Sequence, residues 1–347
     1  MKILFYINQI YEGGAERVIT QLASSFAESG DEAVLVTSFE HEGEYVLSDK
    51  VARLSLEKEQ IQQSRIKRNV SRIMKLRRIV KAQRPDIVLS FMQEPNFRML
   101  LATIGLPCKK VVSVRNDPAR EYAGKVGGLV GKVLMPLLAD GCVFQTHQAM
   151  EWFPNRLLRQ SEVIPNAVNP AFFKAERSGA DAYWIAVGRL VEQKNYPMML
   201  DAFSRVVEKY PDEKLRIYGE GPLRGELEKQ IENLGLSSNV SLCGQTHDVA
   251  AALSDAKGFL MTSDYEGMPN ALMEAMAVGL PCVATDCPCG GPAELIRDGE
   301  SGFLTPVGKE KAFAEKVIAL MQDRKKNAMV EAYASKTMAI YSPEKVF

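Results

Sequence analysis

Two glutamates in the C-terminal half have a spacing that suits ligand binding. Glu266 lies in a predicted loop formed with Gly267, Met268, Pro269 and Asn270, and Glu274 lies in the helix that this loop opens. Eight helical residues span at most ~12 Å, so the two carboxylates could hold hydroxyl pairs at both ends of one ligand. The N–H groups at the helix start would then face an anion. The alternative is a first-turn charge at Glu266 and an exposed helical acid at Glu274.

Two cations share one loop earlier in the chain. Gly188, Arg189 and Lys194 follow a predicted strand at 183–187. A guanidinium binds oxyanions through paired hydrogen bonds and an ammonium acts as a point charge, so this pair suits a diphosphate. Gly188 would let the backbone approach it closely. Two solvated surface charges remain the alternative.

Several glycine-rich loops follow other predicted strands. Gly14 opens the first helix, and the Gly290-Gly291 loop opens a helix in which Glu294 fits a capping role. Backbone N–H groups at such helix starts can bind anions, although a simple turn has the same composition. Gly219 and Gln245 lie in lesser loops whose backbone could contact the edge of a nucleobase.

The sequence lacks the motifs of several other kinds of site. The sequence has no Asp-x-Asp pair, no GxxxxGK[ST], no GxSxG and no GxGxxG, which disfavours a metal-bridged diphosphate, a P-loop, a serine hydrolase and a nicotinamide site. The cluster of Cys282, Cys287 and Cys289 lacks a second CxxC arm, so buried thiols are favoured over a metal site. We therefore expect no metal and no further cofactor.

Composition bounds the class of protein. The chain has 347 residues with 46% hydrophobic residues, and its 43 basic and 43 acidic residues cancel. These figures indicate two packed domains and exclude a disordered chain or a nucleic-acid polycation. Residues 1–165 carry a net +5 and residues 166–347 a net −5. The sequence opens with a predicted strand and not with a signal peptide, it has no apolar run of membrane length, and its cysteines are expected to be free thiols. These features predict a cytoplasmic protein. The balanced charge predicts that it does not bind nucleic acid.

The positioning elements are short apolar strands that alternate with amphipathic helices, which is typical of α/β domains with parallel sheets. We predict two doubly wound, Rossmann-like domains that face each other across a cleft: an N-terminal domain at 1–165, a linker at 166–181, a C-terminal domain at 182–336 and a further segment from 337 to 347. In such sheets ligands bind at the carboxyl ends of the strands. The predicted strands are 3–7, 33–37, 87–91, 111–114, 141–145, 162–164, 183–187, 214–218, 240–243, 258–261 and 281–285. The predicted helices are 16–28, 66–84, 196–209, 223–234, 248–254, 270–277 and 312–321.

A basic helix is predicted in the first domain. Residues 65–84 hold nine Lys or Arg and no acid. An apolar stripe is expected to pack inward, and it consists of Ile66, Val70, Ile73, Leu76 and Val80. The outward charge would suit an anionic membrane or a lipid-diphosphate acceptor, with nucleic acid as a less favoured partner and a merely solvated face as the alternative.

Five of these motifs, taken in their order along the chain, resemble those of the retaining glycosyltransferases of family 4. They are the glycine loop at Gly14, Gly188-Arg189 with Lys194, the Gly219 loop, Glu266-x7-Glu274 and the Gly290-Gly291 loop. The similarity runs from residue 1 to about 343. It implies the GT-B fold, with a nucleotide-diphosphate sugar, most often a UDP-sugar, held by the second domain and an acceptor held by the first. Residue 337 would then begin the family's C-terminal crossover.

The resemblance also implies roles for single residues. Arg189 and Lys194 would contact the donor diphosphate, Glu266 the donor sugar, Glu274 the ribose, and Gly14 the phosphates from the first domain. The implied donor site would be completed by Gly188, Gly219, Gln245 and the segment 267–270. Attack on the front face of the sugar would retain its configuration, and the leaving phosphate would accept the acceptor's proton.

The chain departs from the family in one loop of the first domain. Many members place a histidine there that contacts a donor-sugar hydroxyl, whereas this sequence has Arg115 and Asn116, which become the candidates for the donor sugar or acceptor. By family likeness the expected process is cell-envelope polysaccharide synthesis with a UDP-hexose or UDP-N-acetylhexosamine. The alternatives are a UDP-sugar epimerase of the same architecture and a non-catalytic sugar-nucleotide-binding protein. A dehydrogenase is disfavoured.

Overall fold

The computed structural model describes residues 1–11, 13–58, 64–179, 182–246 and 248–346, with the side chains of residues 65 and 324–329 outside the description. The chain divides into two compact units, Met1–Ile164 and Pro165–Phe347. Each unit is built on its own parallel sheet, one of seven strands and one of six.

The first sheet has the order β3-β2-β1-β4-β5-β6-β7 and every pairing in it is parallel. Its central strands are apolar and buried because helices cover both faces. The strands are β1 (Lys2–Ile7), β2 (Glu32–Thr37), β3 (Ala52–Ser55), β4 (Ile87–Phe91), β5 (Lys109–Ser113), β6 (Gly141–Phe144) and β7 (Ser161–Val163). The helices are α1 (Gly14–Glu28), α2 (Arg65–Gln83), α3 (Gln93–Ala102), α4 (Pro118–Glu121), α5 (Gly124–Leu129), a π-helical turn (Val130–Leu134), α6 (Met135–Leu138), α7 (His147–Glu151) and α8 (Asn155–Leu158).

The second sheet has the order β10-β9-β8-β11-β12-β13 and is also parallel. Its strands are β8 (Tyr183–Val187), β9 (Leu215–Tyr218), β10 (Val240–Gly244), β11 (Ala256–Met261), β12 (Cys282–Asp286) and β13 (Phe303–Pro306). Its helices are α9 (Pro170–Lys174), a 3-10 turn (Glu192–Lys194), α10 (Tyr196–Lys209), α11 (Arg224–Asn233), α12 (Val249–Ser254), α13 (Asn270–Ala277), α14 (Gly291–Leu295), α15 (Glu310–Gln322), α16 (Arg324–Met338), a 3-10 turn (Ala339–Tyr341) and α17 (Pro343–Val346).

The prediction of two doubly wound parallel sheets is confirmed. The sequence analysis does not predict the edge strands β3 and β13. It also does not predict α16, whose Val330, Ala334 and Met338 pack into the cores of the second unit. The segment proposed as a linker contains the helix α9, and its residues 180 and 181 lie outside the described part of the chain.

The prediction for the basic helix is wrong in part. Leu76 and Val80 are buried as expected, but Ile66 and Val70 are exposed. An inward position in the first half of the helix is taken by Arg72, whose guanidinium pairs with the buried Glu57 at 2.8 Å. A hydrogen-bonded charge pair therefore replaces part of the predicted apolar stripe. Within the described residues, no helix is both long and apolar enough to cross a bilayer.

Candidate functional site

The loop after β8 carries two of the predicted cations in different states. Lys194 ends the 3-10 turn, and its side chain is 19% exposed. Arg189 is exposed, and among the described residues no ion pair involves its guanidinium. The Tyr196 hydroxyl donates to the Gly188 carbonyl at 3.0 Å and so fixes the start of this loop. An exposed, uncommitted guanidinium is available to an incoming anion.

The ammonium of Lys194 contacts the carboxylate of Glu266 directly. Glu266 is only 8% exposed at its side chain, and the Ser263 hydroxyl donates to the same oxygen at 2.8 Å. These residues are distant in sequence but follow β8 and β11, which are neighbours in the sheet. The carboxyl ends of adjacent parallel strands open at one edge, which brings Lys194 and Glu266 together, two of the three side chains predicted to be catalytic, with Arg189 as the third.

The loops that carry this pair are tied to each other by further hydrogen bonds. The Asp264 backbone N–H donates to the Gln193 carbonyl at 2.9 Å, and the Gln193 side chain donates to the Tyr265 carbonyl at 2.9 Å. The Asn195 amide donates to Asp264 Oδ1 at 2.7 Å. Because both loops are cross-linked in this way, the Lys194–Glu266 pair is held before any ligand arrives.

A second set of contacts fixes Glu266 from the loop after β12. Its backbone N–H donates to the Pro288 carbonyl at 2.7 Å, and the Cys289 N–H donates to its carbonyl at 3.0 Å. Gly291 is required here by close approach, since a Cβ atom on it would lie 1.7 Å from the Gly267 carbonyl oxygen. The Gly290-Gly291 loop therefore supports the Glu266 loop rather than standing apart from it.

The segment between the two glutamates is largely buried. Gly267, Met268 and Pro269 are buried, and α13 begins at Asn270 without a side-chain cap. The Asn166 amide donates to Asn270 Oδ1 at 2.6 Å. Glu274 lies in α13 with 4% exposure, so the alternative of an exposed helical acid is wrong.

Two of the lesser candidates lie in other loops of the same edge. Gly219 donates from its N–H to the Gly244 carbonyl at 2.8 Å, and a Cβ atom on it would lie 1.9 Å from the Gly188 carbonyl oxygen. Gly219 therefore allows the β9 loop to pack on the loop that carries Arg189. Gln245 is exposed just beyond β10.

The candidates of the first unit lie at the carboxyl edge of its own sheet. Gly14 is exposed and is the first residue of α1. The Arg115 guanidinium lies 4.4 Å from the centre of the Phe91 ring, and Asn116 is half-buried and accepts from the Asp117 N–H at 2.9 Å. Burial lowers the pKa of Arg115 to about 9, against the opposing effect of Glu121 and Glu16.

Glu121 is a neighbour of Arg115 that the sequence does not single out. Burial raises the pKa of its carboxyl to about 7, while the Gln93 N–H, at 2.6 Å from Oε1, and the charge of Arg115 oppose the shift. Oε2 is buried and has no hydrogen-bond partner among the described residues. Sequence reasoning likewise misses Ser263, Tyr196 and Asn166, because hydroxyls and amides at single positions form no motif.

The cysteine cluster is a buried group of free thiols. Cys282, Cys287 and Cys289 are each 3% exposed or less. Burial raises the pKa of Cys287 to about 12, and the nearby Glu266 acts in the same direction. A thiol that stays protonated is a poor metal ligand. In the described part of the chain, no three His, Cys, Asp or Glu side chains are grouped so that they could hold a metal.

Two family models match the chain. Residues 12–172 match the model described as Glycosyltransferase Family 4, and residues 169–337 match that of glycosyl transferases group 1. The chain is 29% identical over 254 residues to the uncharacterized glycosyltransferase MJ1059 of Methanocaldococcus jannaschii, a match that covers 65% of this chain and 62% of that protein. The chain thus spans less than two thirds of that relative.

Another relative is matched over most of its length. The chain is 27% identical over 333 residues to a Campylobacter jejuni protein named GalNAc-alpha-(1->4)-GalNAc-alpha-(1->3)-diNAcBac-PP-undecaprenol alpha-1,4-N-acetyl-D-galactosaminyltransferase, covering 93% of this chain and 89% of that one. Among solved structures, Anabaena Alr3699/HepE in complex with UDP-glucose superposes with a TM-score of 0.82 at 18% identity, covering 100% of this chain and 97% of that one.

The structural likeness shows the fold, which is that of the GT-B glycosyltransferases. The two family models join near residue 170 and together span residues 12–337. These matches support a glycosyltransferase family for this protein.

Proposed function

We propose that the protein is a retaining glycosyltransferase of family 4 that moves a hexose or N-acetylhexosamine from a nucleotide-diphosphate sugar, a UDP-sugar by preference, to a saccharide or lipid-linked saccharide. The observation that carries the proposal is the Lys194–Glu266 contact at the carboxyl edge of the second sheet, with the exposed Arg189 in the same loop as Lys194. The HepE structure was solved with UDP-glucose, and the Campylobacter relative is named for a lipid-linked acceptor. Cell-envelope polysaccharide synthesis is the proposed setting.

In this proposal the second unit binds the donor. Arg189 and Lys194 bind the diphosphate, Glu266 accepts hydrogen bonds from the sugar, and Glu274 from the ribose hydroxyls. The nucleotide-binding site is lined by Gly188, Gly219, Gln245 and the segment of Gly267, Met268, Pro269 and Asn270. Gly14, Arg115 and Asn116 act from the first unit on the phosphates, the donor sugar or the acceptor.

The reaction follows from these roles. The bond between the anomeric carbon and the diphosphate oxygen breaks, and the acceptor oxygen bonds to the same face of that carbon. The acceptor's proton passes to the leaving phosphate oxygen. The negative charge that develops on the diphosphate is stabilised by Arg189 and Lys194, so that losing one cation costs a few kcal/mol in the barrier. We further propose that the sequence supplies these charges without a divalent metal.

Lys194 has a second role in this scheme. Its charge offsets that of the buried Glu266 carboxylate. When a diphosphate enters, the ammonium can bridge the carboxylate and a phosphate oxygen, because an ammonium has three donors. The pair therefore couples the position of the sugar to that of the leaving group.

The direct test is turnover of a panel of UDP-sugars with an undecaprenyl-diphosphate-linked saccharide, with the anomeric configuration of the product read by NMR. We expect transfer with retention, and loss of transfer in Glu266→Gln and Lys194→Ala. Full turnover in both variants would refute the assignment of the site. Donor binding without transfer or hydrolysis would favour the non-catalytic binding protein, and inversion of a ring carbon on the free donor would favour the epimerase.

We also propose that the protein acts in the cytoplasm and contacts the inner face of the membrane through residues 65–84. Lys67, Arg78, Lys81 and Arg84 are exposed there, and the segment has no acid to offset them. Each basic residue near an anionic surface contributes about 1 kcal/mol. Reversal of these four charges should weaken flotation with anionic liposomes, and unchanged flotation would count against this contact.

A further inference from the structure

A second surface segment of the first unit exposes large apolar side chains to solvent. Val126, Leu129, Val133 and Leu137 are between 42% and 68% exposed, although they are large hydrophobic residues. They lie three, four and four residues apart along α5, the π-helical turn and α6, so they form one row on a helical surface. We call this set the 124–138 row.

The basic helix carries a similar row on the same side of the sheet. Ile66, Val70 and Met74 are 53% to 78% exposed and lie four residues apart on α2. The crossovers from β3 to β4, β4 to β5 and β5 to β6 all advance in one direction across the sheet. Right-handed crossovers therefore place α2, α3 and residues 124–138 in one layer, and α3 contacts both neighbours.

The exposed charges on α2 and on residues 122–139 are all positive. The segments 65–84 and 122–139 contain no Asp or Glu, while Lys67, Arg78, Lys81, Lys125 and Lys132 are exposed on them. The acid of α3, Glu94, pairs with the buried Arg98 at 2.8 Å. A surface of this kind suits a bilayer with anionic headgroups. The apolar side chains can enter the boundary with the acyl chains, and the surrounding Lys and Arg side chains can contact the headgroups.

We propose that the 124–138 row inserts into the headgroup and acyl boundary of an anionic membrane and that, with α2, it forms a two-part docking surface. The helices of this layer begin near the carboxyl edge of the sheet, where Arg115 and Asn116 lie. Docking would thus bring that edge to the bilayer, where the headgroup of a lipid-linked acceptor lies. The part played by α2 and this last consequence rest on the proposed function, whereas the 124–138 row is argued independently of it.

The test is flotation with vesicles of phosphatidylglycerol and phosphatidylethanolamine. The variant Leu129→Gln/Val133→Gln should lower the vesicle partition coefficient about tenfold or more, since each leucine or valine side chain gives up its transfer into the boundary. The matched control is Val46→Gln/Ile340→Gln, which removes two exposed apolar residues that do not belong to the row and should bind like the wild type. Part of wild-type binding should survive roughly 1 M salt, because apolar burial is not screened.

Three results would overturn the proposal: no flotation of the wild type, equal flotation of the variant and its control, or a wild-type dimer that the variant dissociates without any vesicle binding. The last would make the row an interface between two copies of the chain. A thermal shift by UDP, measured on the same variants, keeps the two proposals separate. If UDP still raises the melting temperature of Leu129→Gln/Val133→Gln, the fold of that variant is intact. If UDP raises the melting temperature of none of the proteins, the result counts against the donor site and not against docking.

Discussion

At the scale of single residues, the two cations of the proposed donor site differ in what they contact before a ligand binds. Arg189 is exposed, whereas Lys194 lies against the nearly buried carboxylate of Glu266. The same loss of charge should therefore have different consequences at the two positions.

Arg189→Ala should affect activity alone. Removing an exposed guanidinium changes the free energy of unfolding by less than about 0.5 kcal/mol, while the loss of transition-state stabilisation should lower kcat/KM by about a hundredfold. Kinetics and thermal melts of Arg189→Ala, with the exposed Lys229→Ala as control, measure both quantities. A variant with unchanged kcat/KM would remove Arg189 from the site.

Lys194→Ala should affect activity and stability together. It leaves the Glu266 carboxylate without its counter-charge, which should cost about 2 kcal/mol of unfolding free energy. The double variant Lys194→Ala/Glu266→Gln should recover most of that stability but none of the activity, since the buried charge is gone. Urea denaturation of the four proteins gives the coupling. Additive effects of the two substitutions would contradict a direct pair.

Glu121 should make the stability of the first unit depend on pH. Its pKa is raised from 4.5 to about 7, so the folded protein keeps a proton that the unfolded chain releases. Stability from this group is therefore lost as pH rises from about 4.5 through about 7. Relative to the wild type, Glu121→Gln should gain stability between pH 5 and pH 8, by roughly 1 kcal/mol or more. A pH-independent difference in urea denaturation would show that this carboxyl titrates normally.

Sequence reasoning at this scale identifies side-chain types better than contacts. Glu266 and Lys194 follow from loop composition and from resemblance, but their pairing depends on which strands are neighbours in the sheet. Ser263, Tyr196 and Asn166 carry no such signal, because their hydrogen bonds join segments that meet only in the folded chain.

At the scale of elements, the site depends on the close packing of loops that leave neighbouring strands. The Gly291 and Gly267 backbones approach so closely that a side chain at Gly291 does not fit. This contact is the support that the β12 loop gives to the Glu266 loop.

Gly291→Ala should therefore weaken donor binding without touching a ligand. A Cβ atom at 1.7 Å from a carbonyl oxygen must displace one loop, and we expect a loss of about 2 kcal/mol in stability together with at least tenfold weaker UDP binding. Gly225→Ala is the matched control, since it lies in α11 with no atom within 4 Å of the new Cβ. The control should gain up to about 1 kcal/mol in stability. Equal melting temperatures in the two variants would refute the contact.

The apolar runs of central strands predict those strands well, because burial on both faces leaves a continuous apolar signal. The edge strands β3 (ARLS) and β13 (FLTP) give no such signal, because neither contains three apolar residues in a row. The stripe on α2 is wrong at Ile66 and Val70, because helical spacing alone does not reveal that Arg72 takes the inward position.

At the scale of the whole molecule, the donor is proposed to bind to the second unit and the acceptor to the first. The opposite net charges of residues 1–165 and 166–347 agree with a first unit that meets anionic lipid. This division rests on the family resemblance, since neither composition nor strand pattern distinguishes a donor domain from an acceptor domain.

Transfer should proceed without a divalent metal. Because the proposed diphosphate ligands are side chains of Arg189 and Lys194, an excess of EDTA should leave the initial rate of UDP release within about twofold of that in magnesium, well below the hundredfold effect expected for loss of one cation. The control is the same assay after readdition of magnesium or manganese. A rate that EDTA abolishes and metal restores would contradict the proposal.

Calorimetric titration of UDP and uridine into the wild type and Arg189→Ala, in EDTA, tests the central claim most directly. A diphosphate held by Arg189 predicts that the wild type binds UDP and that the variant binds it at least tenfold more weakly, a difference of about 1.4 kcal/mol, with uridine affinity unchanged. Equal UDP affinity in the two proteins, or UDP binding that requires magnesium, would contradict it.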